Sequence, residues 1–371
     1  MLVDASRLFL LHANMVSGVG PIFFQRLNQA VFGDFAACYR WKAQDFVANA
    51  GCSQELADRL VAALLDVRAR DVELATVAKL GASWVTVFDD HYPARLRAIY
   101  APPTILMYLG SFAAVCAEYS VAFVGARKAS GYAREVAQTL VRPLVGSGVT
   151  IVSGGALGAD TYAHQAALDV GGKTVAVVGA GLLYPYPRNN VTLFDRIVSS
   201  GGAVVSPFPV SMRAVPGNFP ARNRVIAGLA SMTIVLQAAK KSGALITAYF
   251  ALEQGREVGA VPGSILDELS MGCHQLLSQG ATPVSSVGDI FQACGWEKAV
   301  VAPTVCAHTQ QSIQKDAVDP LVAACDMPQS LDDLTARFSD LDPVILQDRL
   351  LDLCMQGLLQ QDFTGQFRAG V

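Results

Sequence analysis

The fold is decided by the segment VAFVGARKASGYAREVAQTLVRPLVGSGVTIVSGG, residues 121–155. It begins and ends with an apolar, β-rich run, and a glycine-containing loop and a helical pattern lie between the two runs. Neither run alternates apolar with polar residues, which is typical of strands covered on both faces. The segment therefore predicts a strand, a crossover helix and a second, parallel strand.

The same alternation continues along the middle of the chain. Four more apolar runs are separated by helical segments: KTVAVVGAG (173–181), GAVVSPF (202–208), MTIVLQA (232–238) and REVGAVPG (256–263). Two shorter β-like runs joined by a proline-containing link precede them within 85–111. The sequence thus predicts an α/β fold with a doubly wound, mostly parallel sheet.

Three domains and a linker are predicted around this sheet. They are a helical domain over 1–80, the sheet-bearing core over 81–295, a linker over 296–318 and a winged-helix domain over 319–371. Within the first domain, SGVGP (17–21) breaks the helical spacing and puts proline at the first position of the next helix. This turn is either a helix-hairpin-helix turn, whose backbone N–H groups could bind a phosphate, or a plain connector.

Composition and charge narrow the class of protein. With 52% hydrophobic and 16% charged residues, the chain is predicted to be a compact globular protein. No apolar run reaches the ~20 residues that span a bilayer, so no membrane association is expected. The eight cysteines form no CxxC pair, which is typical of reduced thiols and predicts a cytoplasmic protein without a zinc site.

Charge is distributed unevenly along the chain. Between 121 and 290, thirteen Lys or Arg face nine Asp or Glu, a net charge of +4. Between 318 and 371, nine Asp face three Arg, a net charge of −6. A nucleic-acid surface is therefore expected in the middle of the chain. The acidic C-terminal domain is expected to serve protein contacts or to fold against the basic core.

The loops that leave the predicted strands share glycine and basic residues. Five of six such loops contain glycine, and their cations are Arg127, Lys128, Arg188, Arg222, Arg224, Lys240 and Lys241. Parallel strands bring these loops to one sheet edge, where bare backbone amides and guanidinium groups form an anion site. The alternative is a set of tight turns without a ligand. Neither GxGxxG nor a Walker motif is present.

The stretch NFPARNRVIAGLA (218–230) places two arginines beside an apolar run. Arg222 begins the buried stripe of the predicted helix, and Arg224 points roughly 200° away from it. One arginine could form the floor of the anion site while the other extends along a chain of phosphates. A structural ion pair of Arg222 is the alternative.

Asp160 and His164 invite a catalytic interpretation because a spacing of four places them on one helix face. The interpretation we favour is structural, with Asp160 near the positive end of the helix dipole and His164 packed against the next loop. The five histidines are widely separated, so neither a metal nor another cofactor is predicted.

Several ordered motifs resemble the DNA-processing protein A family. They are GARKASGYA, SGGALGADTYAHQAAL, GAGLLYPYPRNN, FPARNRVIAGL, SGALITA, GREVGAVPG and GATPVSS. The resemblance covers nearly the whole chain and implies an extended Rossmann-like core, a sterile-alpha-motif-like or helix-hairpin-helix N-terminal domain and a C-terminal winged helix. Its implied function is non-enzymatic: the family binds and protects single-stranded DNA, dimerises through the core, and loads the RecA recombinase during natural transformation.

The resemblance also implies which residues contact DNA. Matched motif by motif, they are Gly125, Arg127, Lys128, Ser153, Gly154, Gly155, Gly158, Arg222, Asn223, Arg224, Lys240, Ser242 and Gly243. The chain departs from the family pattern at Ala126, Pro207, Gln237 and His274, which alters hydrogen bonding or removes negative charge near the site.

Two other functions stay open at this point. A nucleotide-processing enzyme would resemble the lysine-decarboxylase-like phosphoribohydrolases on a similar scaffold, although the chain lacks their PGGxGTxxE signature. An adaptor would act chiefly through the acidic C-terminal domain.

Overall fold

The computed structural model describes residues 4–296, 320–325, 327, 329–338, 346, 349–350, 353–354, 359–361 and 366–369. The chain divides into two compact units, Met1–Thr304 and Val305–Val371.

A nine-stranded sheet forms the centre of the first unit. Its strands are β1 (Ser83–Thr86), β2 (Ile105–Gly110), β3 (Ser120–Val124), β4 (Thr150–Ser153), β5 (Thr174–Val177), β6 (Ala203–Ser206), β7 (Met232–Val235), β8 (Glu257–Ala260) and β9 (Thr282–Pro283). They are ordered β1-β2-β6-β5-β4-β3-β7-β8-β9. All pairs from β6 to β9 are parallel, whereas β2 pairs antiparallel with both β1 and β6. The predicted α/β class with a mostly parallel sheet is confirmed.

Strands β3 to β8 coincide with the six apolar runs of the sequence. Each residue of β3 to β7 is buried, as expected for strands covered on both faces. Register is fixed by pairs such as Val121 with Ile151 and with Met232. These apolar strands are buried on both faces of the sheet, in two separate hydrophobic clusters.

Helices connect and cover these strands. They are α1 (Ala5–Asn14), α2 (Pro21–Val31), α3 (Ala43–Ala50), α4 (Gln54–Leu65), α5 (Val67–Lys79), α6 (Ala94–Arg97), α7 (Phe112–Val115), α8 (Gly131–Gly146), α9 (Ala159–Leu168), α10 (Val191–Ser199), α11 (Asn218–Leu229), α12 (Gly243–Glu253), α13 (Met271–Ser278) and α14 (Val287–Ala293). Short 3₁₀ helices span Phe35–Arg40, Arg188–Asn190 and Glu268–Ser270. Helices α8 and α9 pack on one face of the sheet, and α11 and α12 pack on the other.

The N-terminal helices share a hydrophobic core with one side of the sheet. Phe9 and Phe24 belong to the same buried cluster as Met107 of β2 and Val204 of β6. Helix α2 begins at Pro21, as the sequence predicts, and the preceding Gly18 has φ +93°. These helices therefore belong to the first unit together with the sheet. The domain boundaries drawn from the sequence stay predictions.

A buried carboxylate fastens these helices to the loop that follows β6. Glu73 of α5 accepts hydrogen bonds from Val210 N and from Ser211 Oγ, the latter at 2.6 Å.

We expect Glu73→Ala to lower the free energy of unfolding by about 1 to 3 kcal/mol, because the buried Val210 N–H loses its acceptor. Glu73→Gln retains one acceptor and should cost less. Denaturant titration of both variants, with exposed Glu55→Ala as control, tests this; equal losses for Ala and Gln would contradict it.

The second unit contains four described elements: α15 (Pro320–Ala324), α16 (Leu331–Arg337), β10 (Leu359–Gln361) and β11 (Phe367–Ala369). Strands β10 and β11 pair antiparallel, and Ser330 caps α16 by accepting from Asp333 N. Leu334 and Phe367 share a small buried cluster. The winged-helix arrangement stays a prediction, and the predicted linker lies, beyond Trp296, outside the described residues.

Candidate nucleic-acid interface

The sheet changes direction between β3 and β7. From these adjacent strands the chain continues to β4 on one side and to β8 on the other. Their following helices, α8 and α12, pack on opposite faces of the sheet. The carboxyl ends of two such strands leave a crevice between them, which is where ligands bind in doubly wound sheets.

Gln237 holds the loop that leaves β3 in place at this crevice. Its backbone oxygen accepts from Ala126 N at 2.7 Å, and its side-chain oxygen accepts from Ser130 N at 2.9 Å. Its side-chain nitrogen donates to Asp267 Oδ2 at 3.0 Å, a bond that a glutamate at this position could not donate. Gly125 is required here because a Cβ would lie 2.9 Å from the Gln237 oxygen. The loop is therefore rigidly positioned by the neighbouring strand.

A cavity of about 350 Å³ lies at the carboxyl ends of these strands. Six of the residues predicted to contact DNA line it: Gly125, Arg127, Arg222, Asn223, Ser242 and Gly243. The first turn of α12 also faces it, and Ser242 caps that helix by accepting from Ala244 N at 3.3 Å. A helix N-terminus beside two guanidinium groups makes the cavity suitable for an anion.

Arg222 forms the floor of the cavity and is paired with a carboxylate. Its guanidinium lies 3.9 Å from Asp160 Oδ2, and both side chains are buried. Burial lowers the pKa of Arg222 and raises the pKa of Asp160, and the attraction between the two groups opposes both changes. The structural ion pair, left open by the sequence, is thus present. Arg222 Nε is buried and has no hydrogen-bond partner among the described residues.

Arg127 is the exposed cation of the cavity. Its guanidinium lies 5.4 Å from the centre of the Phe219 ring, and Arg222 lies 5.9 Å from the same ring. No carboxylate within residues 4–296 forms an ion pair with Arg127. The charged residues of the lining are Arg127, Arg222 and Asp160, which leaves one net positive charge. An aromatic ring next to two arginines can stack on a base while the cations bind phosphates.

Four of the predicted residues shape the loop after β4 instead of lining the cavity. Ser153 is buried and donates to Phe123 O at 2.6 Å. Gly154 leaves room for Arg222, since a Cβ there would lie 1.4 Å from its Nη1. Gly155 (φ +63°) and Gly158 (φ +78°) have left-handed backbones, and a Cβ at Gly158 would collide with Ala126 O. These residues position the site.

Arg224 does not line this cavity. It faces a separate groove of about 320 Å³ beside the SGVGP turn, and its guanidinium donates to Tyr100 O. The physical reason is the helix geometry, which turns its side chain away from that of Arg222. Lys128 and Lys240 are exposed and lie outside the cavity lining. Whether these three cations contact DNA stays a prediction.

Hydrogen bonds to neighbouring residues give the side chains of Asp160 and His164 a structural role. Asp160 Oδ2 accepts from Gly154 N at 3.1 Å and from Ala156 N at 3.2 Å. His164 Nδ1 lies 2.8 Å from Thr174 Oγ1, whose hydroxyl donates to Ile151 O, so Nδ1 is the donor of that pair. Burial lowers the pKa of His164 to about 3, and the ring is neutral at physiological pH. The two side chains form no acid–base pair.

Comparison with known proteins places this geometry in a family. The family model for DNA recombination-mediator protein A matches residues 83–295. The chain belongs to this family. DNA processing protein DprA of Bacillus subtilis is 37% identical over 219 residues, covering 59% of this chain and 73% of that protein. The Streptococcus pneumoniae relative is 43% identical over 206 residues, covering 56% and 72%.

Two solved structures of DNA processing protein A resemble the chain. The S. pneumoniae structure has a TM-score of 0.68 at 34% identity and covers 79% of this chain and 98% of its own. The Helicobacter pylori structure has a TM-score of 0.52 at 27% identity and covers 57% and 94%. The H. pylori protein is described as having a unique single-stranded DNA binding mode. The α/β core and the N-terminal helices agree with these recombination-mediator structures.

Sequence reasoning missed Phe219, which lies beside Arg127 and Arg222, and Tyr186, whose ring centre is 5.9 Å from that of Phe219. The available signal was the aromatic content of NFPARN and YPYP, next to the basic residues that were singled out.

Within the described ranges, no group of three or more His, Cys, Asp and Glu side chains could hold a metal ion. Among the described helices, none is both long and apolar enough to cross a membrane.

Proposed function

We propose that this chain binds single-stranded DNA in the cavity at the ends of β3 and β7. The observation that carries the proposal is that the guanidinium groups of Arg127 and Arg222 both lie close to the ring of Phe219, at 5.4 and 5.9 Å from its centre. A flexible strand can bring a phosphate to the arginines and stack a base on the ring, whereas a rigid duplex keeps its bases paired and inaccessible. The single-stranded DNA binding described for the H. pylori relative supports this assignment.

The biological role we propose is that of a non-catalytic, cytoplasmic recombination mediator. It would protect incoming single-stranded DNA and load RecA onto it during natural transformation, as the family resemblance implies. A homodimer through the core is part of this proposal, and the exposed apolar side chains of Ile265 and Leu266 after β8 are candidates for that contact.

The structural use of Asp160 and His164 favours binding over nucleotide hydrolysis. Release of free base from nucleoside monophosphates by the pure protein would contradict that choice.

The stacking role of Phe219 gives the proposal its test. We expect Phe219→Ala to weaken binding of a single-stranded oligonucleotide by about 1 kcal/mol, or fivefold, because a stacked base loses its platform. Phe219→Tyr keeps the ring and should bind like the unchanged protein. Fluorescence anisotropy measures both, with Phe88→Ala as a control at an exposed phenylalanine that does not line the cavity. Full affinity of Phe219→Ala would contradict the assigned site.

The acidic C-terminal region gives a second prediction. We propose that it serves protein contacts, because its net charge of −6 repels phosphates. Deleting residues 319–371 should leave the affinity for single-stranded DNA equal or higher in an anisotropy titration. A large loss of affinity would show that this region binds DNA.

A further inference from the structure

A groove of about 1070 Å³, distinct from the cavity, runs between the loop after β5, α10 and one face of strands β2 and β6. Leu109 of β2, Val204 of β6 and Leu182 are among its apolar lining residues. Its charged residues are Arg188, Arg213 and Asp195, which leaves one net positive charge. No carboxylate of the described residues forms an ion pair with either arginine. A groove with apolar walls and unpaired cations suits an amphipathic polyanion.

The aromatic lining of this groove is accessible. Tyr184 and Tyr186 are 39% and 43% exposed, which leaves ring surface open to a planar ligand. The Arg213 guanidinium lies 4.8 Å from the centre of the Tyr184 ring. This is the same combination of ring and guanidinium that Phe219 and Arg127 form in the cavity. Aromatic rings interleaved with arginines bind single strands without sequence preference.

The groove and the cavity share an aromatic wall. Tyr186 lines the groove, Phe219 lines the cavity, and their ring centres are 5.9 Å apart with an interplanar angle of 62°. A strand bound over Phe219 therefore meets Tyr186 next. The groove and the cavity adjoin at this pair of rings. The occupant of the groove that the structure favours is therefore a further part of the strand bound in the cavity.

We propose that the groove is a second subsite for single-stranded nucleic acid, entered from the cavity across the Phe219–Tyr186 pair. In it, Tyr184 stacks a base and Arg213 binds a neighbouring phosphate. This inference rests on the proposed function of the cavity and extends it. Its consequence is that affinity grows with strand length once the strand is long enough to fill the groove as well.

An oligonucleotide length series tests this proposal. An oligothymidylate of about 4 nucleotides fills one subsite, and one of about 16 nucleotides fills both. Anisotropy titrations compare the affinities of the two strands. We expect Tyr184→Ala and Arg213→Ala to weaken binding of the long strand about tenfold each and to leave the short strand unaffected. Tyr184→Phe should retain the affinity of the unchanged protein for the long strand. Arg196→Ala is the matched control, because it removes a cation from α10 that pairs with Asp169 and lies outside the groove lining.

The outcomes separate the groove from the cavity. Unchanged binding of the long strand by Tyr184→Ala and Arg213→Ala would overturn the proposal and leave the groove to a protein ligand. Equal losses for both lengths would also overturn it, because the groove would then not be a separate subsite. If Arg127→Ala binds the short strand normally while the groove variants weaken the long one, the cavity assignment fails and the groove assignment stands. Quenching of 2-aminopurine in the long strand should fall in Tyr184→Ala and return in Tyr184→Phe.

Discussion

Replacing Arg127 with alanine is expected to weaken single-stranded DNA binding by about 10- to 100-fold. Arg127 is exposed, lies over Phe219 and has no ion-pair partner within residues 4–296, so its charge is available to a phosphate. One hydrogen bond to a charged group contributes about 1.5 to 3 kcal/mol. Loss of one phosphate contact should also reduce the slope of log affinity against log salt by about 0.7 to 1. Anisotropy titrations at several salt concentrations measure both quantities.

Arg224→Ala is the matched control for this experiment. It also removes one arginine charge, from α11, but its side chain faces the groove beside the SGVGP turn. We expect a smaller loss of affinity than for Arg127→Ala. Arg127→Lys should retain much of the affinity, because it keeps the charge, and lose part of it with the bidentate geometry. Equal effects of Arg127→Ala and Arg224→Ala would contradict the placement of the phosphate in the cavity.

Asp160→Ala is expected to destabilise the protein by about 3 to 5 kcal/mol, since it leaves the buried charge of Arg222 without compensation. The N–H groups of Gly154 and Ala156 also lose their common acceptor. Asp160→Asn retains an oxygen for one of these N–H groups and should lose less. Denaturant unfolding at neutral pH measures the free energy of unfolding for each variant.

A double variant separates stability from binding at this pair. Asp160→Asn combined with Arg222→Met removes both charges and should recover most of the stability lost by Asp160→Ala. It should bind single-stranded DNA weakly, because the floor of the cavity has lost its cation. An Asp160→Ala protein as stable as the unchanged chain would show that the carboxylate does not hold Arg222 in place.

The sheet could be predicted because its strands are covered on both faces. Apolar runs such as 121–126 and 149–155 carry that signal directly, and β3 and β4 lie at those positions. The antiparallel pairing of β2 with β6 was not predictable, since it joins segments almost 100 residues apart. Local patterns specify that a strand forms, and tertiary packing selects its partner.

The sequence predicted where the candidate site lies, at the edge of the sheet where the parallel strands end. It predicted fewer of the individual contacts within the site. Helix periodicity alone gives the divergence of Arg222 and Arg224. The pairing of Arg222 with Asp160 depends on how α9 and α11 approach each other, and no local spacing encodes that distance. The same is true of Phe219 and Tyr186, whose rings meet across 33 positions of sequence. Such contacts became visible only in the folded arrangement.

Affinity for a single strand and for a duplex of the same sequence, measured over a range of salt concentrations, tests the central claim most directly. We predict that the single strand binds more tightly at every salt concentration and that its affinity falls as salt rises, because phosphates and unpaired bases are both bound. Equal affinity for the two forms, or an affinity that does not change with salt, would contradict a cavity built to bind the backbone and bases of single-stranded DNA.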